Sequence, residues 1–515
     1  MPPIQNPRYS RPLDVHRWSD HPEVKGMVDD LWDGGLKERF EGKKSVDGRA
    51  KPGPKPKADH KVMLRVLILD LYVAWLEDPV LCVGISKNVN SWKAGSRYNA
   101  LHLSKSIIKV MEALEKKGFI DVAPGSYAEP GAPTNRTTRI RASEELWDIF
   151  SEVGFSHRDI GRAEDEEVII LKTKGEKLDN ARKGGRKVEY EDTETTIRMR
   201  DDLRAYNLLI ASCFADIPSL EEPVLAFDRA KPETNVRIGA DYSRTRRIFN
   251  RESWEMGGRY YGGWWQRIGE DWRSQIAINN QPTVEVDFKG LHVAMLYAEA
   301  GLAMEHDPYD IQGEMLELYG GNLRPMVKRL ALTAINAKDR KSAYSAFRDA
   351  FPTGDPAKKM NNDELDELLK AFLGRNPPLR DAVFSDQGIR LMYKDSQITE
   401  VILSSFTQRK VPVLSVHDSY IIDHFYVDAL RNTMAQASRA TTGFELPTSI
   451  KLPDRPEYSD VSSEELREYV DLRRIARPSA GYTNRMKAYE MRTGKDFSPE
   501  DWTEEELLAM HNGEW

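Results

Sequence analysis

The chain has 515 residues, 40 % of them hydrophobic and 30 % charged, and a formal net charge of −7. That length predicts about two to four domains with sizeable cores, while no run reaches the ~20 apolar residues of a membrane span and the first residues lack the regions of a signal peptide. Cys82 and Cys213 are too few for a disulfide framework or a cysteine zinc site, which fits a reducing, cytoplasmic setting with no membrane partner.

Residues 1–56 are polar and rich in Pro, Gly and Asp, and close on Lys51-Pro52-Gly53-Pro54-Lys55-Pro56. They read as an irregular N-terminal arm and basic linker. In residues 57–150, apolar helical patterns at 62–76 and 103–116 precede Gly118-Phe119-Ile120-Asp121-Val122, a Pro/Gly-rich excursion and the basic strand Arg136-Thr137-Thr138-Arg139-Ile140-Arg141. This order resembles a winged helix-turn-helix, with a recognition helix from Leu103 and a wing carrying Arg136, Arg139 and Arg141. An ordinary α/β packing module with a solvated basic strand fits the same pattern. In residues 151–222 a basic stretch leads into a helix over 195–214, where Leu203, Leu208, Leu209 and Ile210 alternate with Arg198, Arg200 and Arg204. A solvated basic helix face is the simplest reading there.

Residues 223–322 contain Arg246-Arg247-Ile248-Phe249-Asn250 and then Gly257-Gly258-Arg259-Tyr260-Tyr261-Gly262-Gly263-Trp264-Trp265-Gln266. Glycines allow close backbone approach, and arginine and aromatic faces hold phosphates and stacked bases. Aromatic core residues beside tight turns explain the tryptophans equally well, but explain Arg259 and Gln266 less well. Val284-Glu285-Val286-Asp287-Phe288 then alternates as a strand, and helical spacing begins after Gly290. Asp287 therefore falls at a strand-to-helix junction.

In residues 323–394 Pro325 fixes a helix start. Arg324, Lys328, Leu332 and Asn336 then share one face at four-residue spacing. Residues 395–450 hold a second β-branched run, 411–416, and a returning run from Ser419, with His417-Asp418 at the tip between them. Two carboxylates on neighbouring strands, with a cationic helix between them in sequence, suit the handling of a nucleoside triphosphate with two divalent ions. A strand-end aspartate taken alone is more often a turn cap.

The order Asp287, Arg324-x-x-x-Lys328, His417-Asp418 resembles motifs A, B and C of the family A DNA polymerases and of the single-subunit phage-type RNA polymerases. The resemblance covers roughly residues 246–423, less than half of the chain. It implies metal ligands at Asp287, Phe288 and Asp418, the two aspartates being the catalytic pair. It also implies triphosphate contacts at Arg324 and Lys328, with Leu332, Asn336 and His292 beside the nucleotide, and primer or template contacts at Arg259, Gln266, Arg273 and His417. The chain departs from the family pattern at His292, where its DNA polymerases carry a sugar-gating glutamate, and at Leu332, Asn336 and Ala337, where aromatics and a Tyr-Gly pair are usual. Ser419 replaces a second acid, which is closer to the RNA polymerases. No spaced acids suggest a proofreading exonuclease.

The expected architecture is α+β: a right-hand polymerase with an antiparallel-sheet palm (223–322 and 395–450), helical fingers (323–394) and a thumb-like helical region (151–222). The winged-helix module precedes it, and an acidic helical tail (451–515) follows. The expected activity is template-dependent DNA synthesis without proofreading. Two Mg2+ ions serve as cofactors, with Mn2+ as a substitute. The partners are a DNA primer-template, nucleoside triphosphates and a processivity or replication factor. The alternatives are an RNA polymerase or primase on the same palm with RNA as a possible strand, a DNA-binding replication or regulatory protein with a degenerate palm, and, more weakly, a two-metal nuclease.

Overall fold

The computed structural model describes residues 4–40, 58–127, 135–178, 181–231, 234–311, 323–453, 455 and 460–497. The Lys51–Lys57 linker and the Glu504-Glu505-Glu506 run of the expected tail lie outside the described residues. The fold is α+β, and no described helix is long and apolar enough to cross a membrane. The chain divides into two compact units, each with its own apolar core.

The first unit comprises Met1–Glu167, Glu176–Gly184 and Ala226–Asn235. Its four-stranded sheet contains β1 (Ser10–Pro12), β2 (Cys82–Ile85), β3 (Ile120–Ala123) and β4 (Thr138–Ala142) in the order β1-β2-β4-β3. Among the described residues, four α-helices accompany it: α1 (Pro22–Leu31), α2 (His60–Glu77), α3 (Ser106–Lys116) and α4 (Glu144–Glu152). Asp59 caps α2 by accepting from the Val62 amide at 2.8 Å, and the helix is apolar nearly all round because it is buried nearly all round. Its one interior acid, Asp70, is held by Arg11 at 2.7 Å and Arg17 at 2.6 Å.

Two sequence expectations change here. The N-terminal segment is not an irregular arm over residues 4–40: Val24, Met27, Val28 and Leu31 bury one face of α1 in this core. Few apolar residues lie there, but their helical spacing is enough to anchor the segment. Arg141, placed on a wing, is buried and pairs with Asp121 at 2.6 Å across β3 and β4. Arg139 bonds Ser10 at 2.7 Å, while Arg136 is exposed.

The second unit comprises Val168–Gly175, Gly185–Leu225 and Val236–Trp515. Chain order runs β5 (Ile169–Leu171), α5 (Glu194–Ala211), β6 (Ala215–Asp216), β7 (Arg246–Phe249), β8 (Gly257–Tyr261), β9 (Ala277–Ile278) and β10 (Gln281–Phe288). Then follow α6 (Leu291–Glu299), α7 (Arg324–Asn336), α8 (Arg340–Asp349), α9 (Asn362–Arg375), α10 (Gly388–Gln408), β11 (Val413–Val416) and β12 (Ser419–Asp423). The last elements are α11 (Val427–Thr442), β13 (Thr448–Lys451), α12 (Ser463–Ile475) and α13 (Ala480–Thr493).

The central sheet is antiparallel throughout, in the order β6-β9-β10-β12-β11, with β13 on the other edge of β10. A smaller sheet orders β8-β7-β5, and α10 lies along β8. Helix α5 ends at Ala211, short of the sequence expectation, and Phe214 instead joins Tyr482 and Tyr489 of α13 in a small separate cluster. Lys451, assigned to the tail by sequence, ends a strand of the central sheet. Its alternating partner run is short and carries only one aliphatic residue, Ile450, so periodicity does not single it out.

Candidate active site

The central sheet brings two aspartates together. Asp287 stands opposite Ser419 in the β10–β12 register, so Asp418, the next residue along, sits at the adjoining tip between β11 and β12. The Phe288 amide donates to the Asp418 carbonyl oxygen at 3.1 Å, which couples the strand end to the hairpin tip. The tip has only two residues between Val416 and Ser419, and His417 takes a φ of 59° there. A left-handed residue is the usual cost of so tight a reversal.

Asp287 is buried, and its Oδ1 has no hydrogen-bond partner among the described residues. Burial first, and then the charge of Asp418, push its carboxyl up to about 8, with Lys451 opposing them. Such an acid is held far from the ordinary carboxylate range by like charge and desolvation. A cation relieves both.

One resident cation comes from a strand that sequence reasoning left out. Lys451 Nζ lies 3.0 Å from Asp287 Oδ2 and 3.5 Å from Glu285 Oε1, because Glu285 pairs with Lys451 across β10 and β13. Glu285 also accepts from Arg273 Nε at 2.9 Å and from Ser419 Oγ at 2.6 Å. Burial raises the Glu285 carboxyl, but Arg273, Lys451 and Ser419 together pull it below its ordinary value. Glu285 and Asp287 are two apart on one strand and face the same side.

Helix α10 delivers a fourth acid. Asp395 is fully buried and forms an ion pair with Arg259 of β8; its Oδ1 has no partner among the described residues. Burial raises its carboxyl to about 7, with Arg259 opposing and the charge of Asp418 adding to the rise. Arg259 also reaches His292 Nε2 at 3.2 Å. Burial, reinforced by Arg259, pushes that imidazole down to about 3, so His292 is neutral at physiological pH. His417 is also lowered by burial and by Arg259. Its ring lies 5.3 Å from Tyr261 edge to face, and its Nδ1 is buried without a partner among the described residues.

The glycine and tryptophan segment supports this tip from within the core. Trp265 Nε1 and Gln266 Nε2 both donate to the Ser415 carbonyl oxygen at 2.9 Å, and Gln266 Oε1 accepts from the Gly262 amide at 3.1 Å. Gln266 and Arg273 thus spend their polar atoms inside the protein, on backbone and on Glu285. The glycines are steric: a Cβ on Gly258, at φ 80°, would lie 2.7 Å from Ser396 Oγ of α10, and one on Gly262, at φ 132°, would lie 2.3 Å from the Arg244 carbonyl oxygen.

Helix α7 buries Val327, Leu330, Ala331, Ala334 and Ile335. Arg324, Lys328 and Leu332 are half-buried on the other face, and Asn336 is exposed. Arg324 Nε donates to Asp307 at 2.6 Å, and both cations lie over the Tyr309 ring, Arg324 at 5.6 Å and Lys328 at 6.0 Å. The C-terminal end of α7 is tied to the segment entering α10: Phe384 donates to the Ala334 carbonyl at 2.7 Å and Gln387 to that of Ile335 at 3.0 Å.

No protein-family model matches the chain, and no curated protein matches it. Among the described residues no group of three or more Asp, Glu, His or Cys side chains is arranged to hold a metal ion. Asp287 and Asp418 are the pair of carboxylates that could hold one, with Asp287 Oδ1 buried and without a partner among the described residues. Magnesium is suited to such a set, since it takes one or two protein carboxylates and fills its remaining positions with water and phosphate oxygens.

Lys451, Glu285 and Asp395 are the residues that sequence reasoning missed. The i, i+2 spacing of Glu285 and Asp287 on a strand was a readable signal for the first acid. Asp395 offered no such signal, since it stands among Lys394, Ser396 and Gln397.

Proposed function

We propose that the protein is a template-dependent nucleic-acid polymerase, a DNA polymerase without proofreading that extends a 3′-hydroxyl. The observation that carries this reading is the junction of Asp287 and Asp418 across two antiparallel strands, with a buried carboxylate oxygen left for a cation. Asp287 and Asp418 would hold the ions, and the main chain at Phe288 keeps the two aspartates in register. The chemistry a divalent ion would supply there is charge to activate an attacking hydroxyl and to balance a leaving pyrophosphate. Arg324 and Lys328 bind the triphosphate and neutralise its developing charge. The Asp395–Arg259 pair holds a guanidinium beside His292, ready for the primer end, while the buried Trp265 and Gln266 fix the Ser415 backbone beneath the tip.

A second reading, ribonucleotide synthesis by an RNA polymerase or primase, is favoured by one observation. His292, five residues after Asp287, is neutral and committed to Arg259, so no acid stands where the family's DNA polymerases exclude the ribose hydroxyl. The first unit suits nucleic-acid binding in the manner of a winged helix. Its strands β2, β4 and β3 are ordered as a returning hairpin on a first strand, and α3 precedes the hairpin. Exposed Arg136 fits the wing tip, whereas Arg141 serves the fold. The test is incubation with magnesium, a primed DNA or RNA template and labelled nucleotides of each sugar. Extension with deoxynucleotides supports the first reading, extension with ribonucleotides alone supports the second, and no extension with any combination refutes both.

A further inference from the structure

Lys451 does not belong to the expected set of reacting residues, yet its ammonium contacts the acid at the centre of that set. Nζ lies 3.0 Å from Asp287 Oδ2 and 3.5 Å from Glu285 Oε1. A monovalent cation so placed satisfies one oxygen of Asp287 and leaves Oδ1 without a partner among the described residues. It also opposes any second cation arriving at the same carboxylate, since like charges a few ångströms apart in a half-buried site repel strongly.

Beside Lys451 is a small cavity of about 210 Å³, lined among others by the acids Glu270, Asp271 and Glu285 and by Lys451, Arg455 and Tyr469. Glu270 and Asp271 are exposed acids at the start of the short helix Glu270–Arg273. The negative charge of Glu270 already acts on the lysine. A flexible four-carbon stem lets an ammonium move several ångströms without disturbing its strand. The backbone of Lys451 is fixed by the antiparallel register with Glu285, while its ammonium is held by ion pairs to Asp287 and Glu285.

We propose that Lys451 is a displaceable counter-cation: it neutralises Asp287 before a divalent ion binds, and moves into the acidic cavity at Glu270 and Asp271 when the ion arrives. This rests on the reading of Asp287 and Asp418 as the divalent-ion site. The lysine is a positioning residue. It holds Asp287 Oδ2 while the site waits, and it sets the threshold ion concentration for loading.

The test is direct Mn2+ binding, by electron paramagnetic resonance of free Mn2+, to the full chain and to Lys451→Met, Glu270→Gln/Asp271→Asn and Asp418→Asn. Lys451→Met is expected to bind Mn2+ about tenfold tighter, since the competing charge is gone. Glu270→Gln/Asp271→Asn alters only exposed groups and is expected to fold normally. It should weaken Mn2+ binding severalfold in the wild-type background, and by no more than about twofold once Lys451 is methionine, because the two changes act through one side chain. Unchanged or weaker binding by Lys451→Met overturns the proposal, as does an equal effect of the acidic pair in both backgrounds. Should Lys451→Met not fold, the double acid variant decides alone: unchanged Mn2+ affinity overturns the proposal. Asp418→Asn separates the two levels of the argument. If it leaves Mn2+ binding intact, the metal-site reading itself fails. If it abolishes binding while Lys451→Met behaves as wild type, only the counter-cation proposal falls.

Discussion

Asp287→Asn removes a buried carboxyl group that faces the charge of Asp418 and bonds Lys451 at 3.0 Å. In the unfolded chain this group releases its proton above its ordinary value of 3.8, whereas in the folded protein it keeps it to about 8. The folded state therefore binds the extra proton across that interval, and stability falls as pH rises from about 4 to about 8. At about 1.4 kcal/mol per pH unit, the folded state gives up at most about 4 kcal/mol by pH 7. Asparagine carries no such penalty, and the pull of Lys451 is already contained in the value of about 8. The net expectation, with chelator present, is that Asp287→Asn stabilises the second unit by about 1–3 kcal/mol at pH 7 and loses this advantage by pH 4.5. Urea unfolding followed by hydrogen exchange of the strand Gln281–Phe288 reads the unit that contains the site. Destabilisation by about 1 kcal/mol or more at pH 7, or a gain that is the same at both pH values, refutes the reasoning.

Other perturbations separate structural from functional roles. Arg259→Met leaves Asp395 as a buried acid without its partner, and should lower stability by about 3–5 kcal/mol; adding Asp395→Asn should recover much of that loss in a double-mutant cycle read by urea unfolding. Trp265→Ala opens a void in the core and releases the Ser415 carbonyl, so unfolding should become easier by about 3–5 kcal/mol. Lys328→Ala should slow nucleotide addition about a hundredfold, with the melting temperature changed by no more than a degree or two, roughly as expected for a half-buried helix face. In the first unit, Arg136→Ala should weaken duplex binding with unchanged stability and reduce the slope of log affinity against log salt by about one, whereas Arg141→Ala should destabilise the unit through Asp121.

The strand ends were legible because alternation marks them: Val284 to Phe288 and Val413 to Val416 are valine-bearing runs that each stop within two residues of an aspartate. Pro325 and the four-residue spacing likewise fixed the face of α7. The sequence did not reveal how far the polar residues around these motifs are spent on one another. Gln266 and Arg273 read as free to meet a nucleic acid, yet one holds backbone carbonyls and the other holds Glu285. Those partners are 149 and 12 residues away in sequence, and no local pattern announces the longer pairing. Lys451 was hidden for the same reason: its meaning lies in the register of β13 on β10, a pairing made through tertiary structure. The short helix α1 shows the converse, since a polar average concealed an adequate apolar stripe.

The central claim is that Asp287 and Asp418 together drive nucleotidyl transfer. Its most direct test is single-turnover extension of a primed template with magnesium, comparing the wild type with Asp287→Asn and Asp418→Asn, with the fold of each checked by circular dichroism. The expected result is primer extension with pyrophosphate release by the wild type, and a loss of about a thousandfold or more in each folded variant. Extension at the wild-type rate by either folded variant contradicts the account.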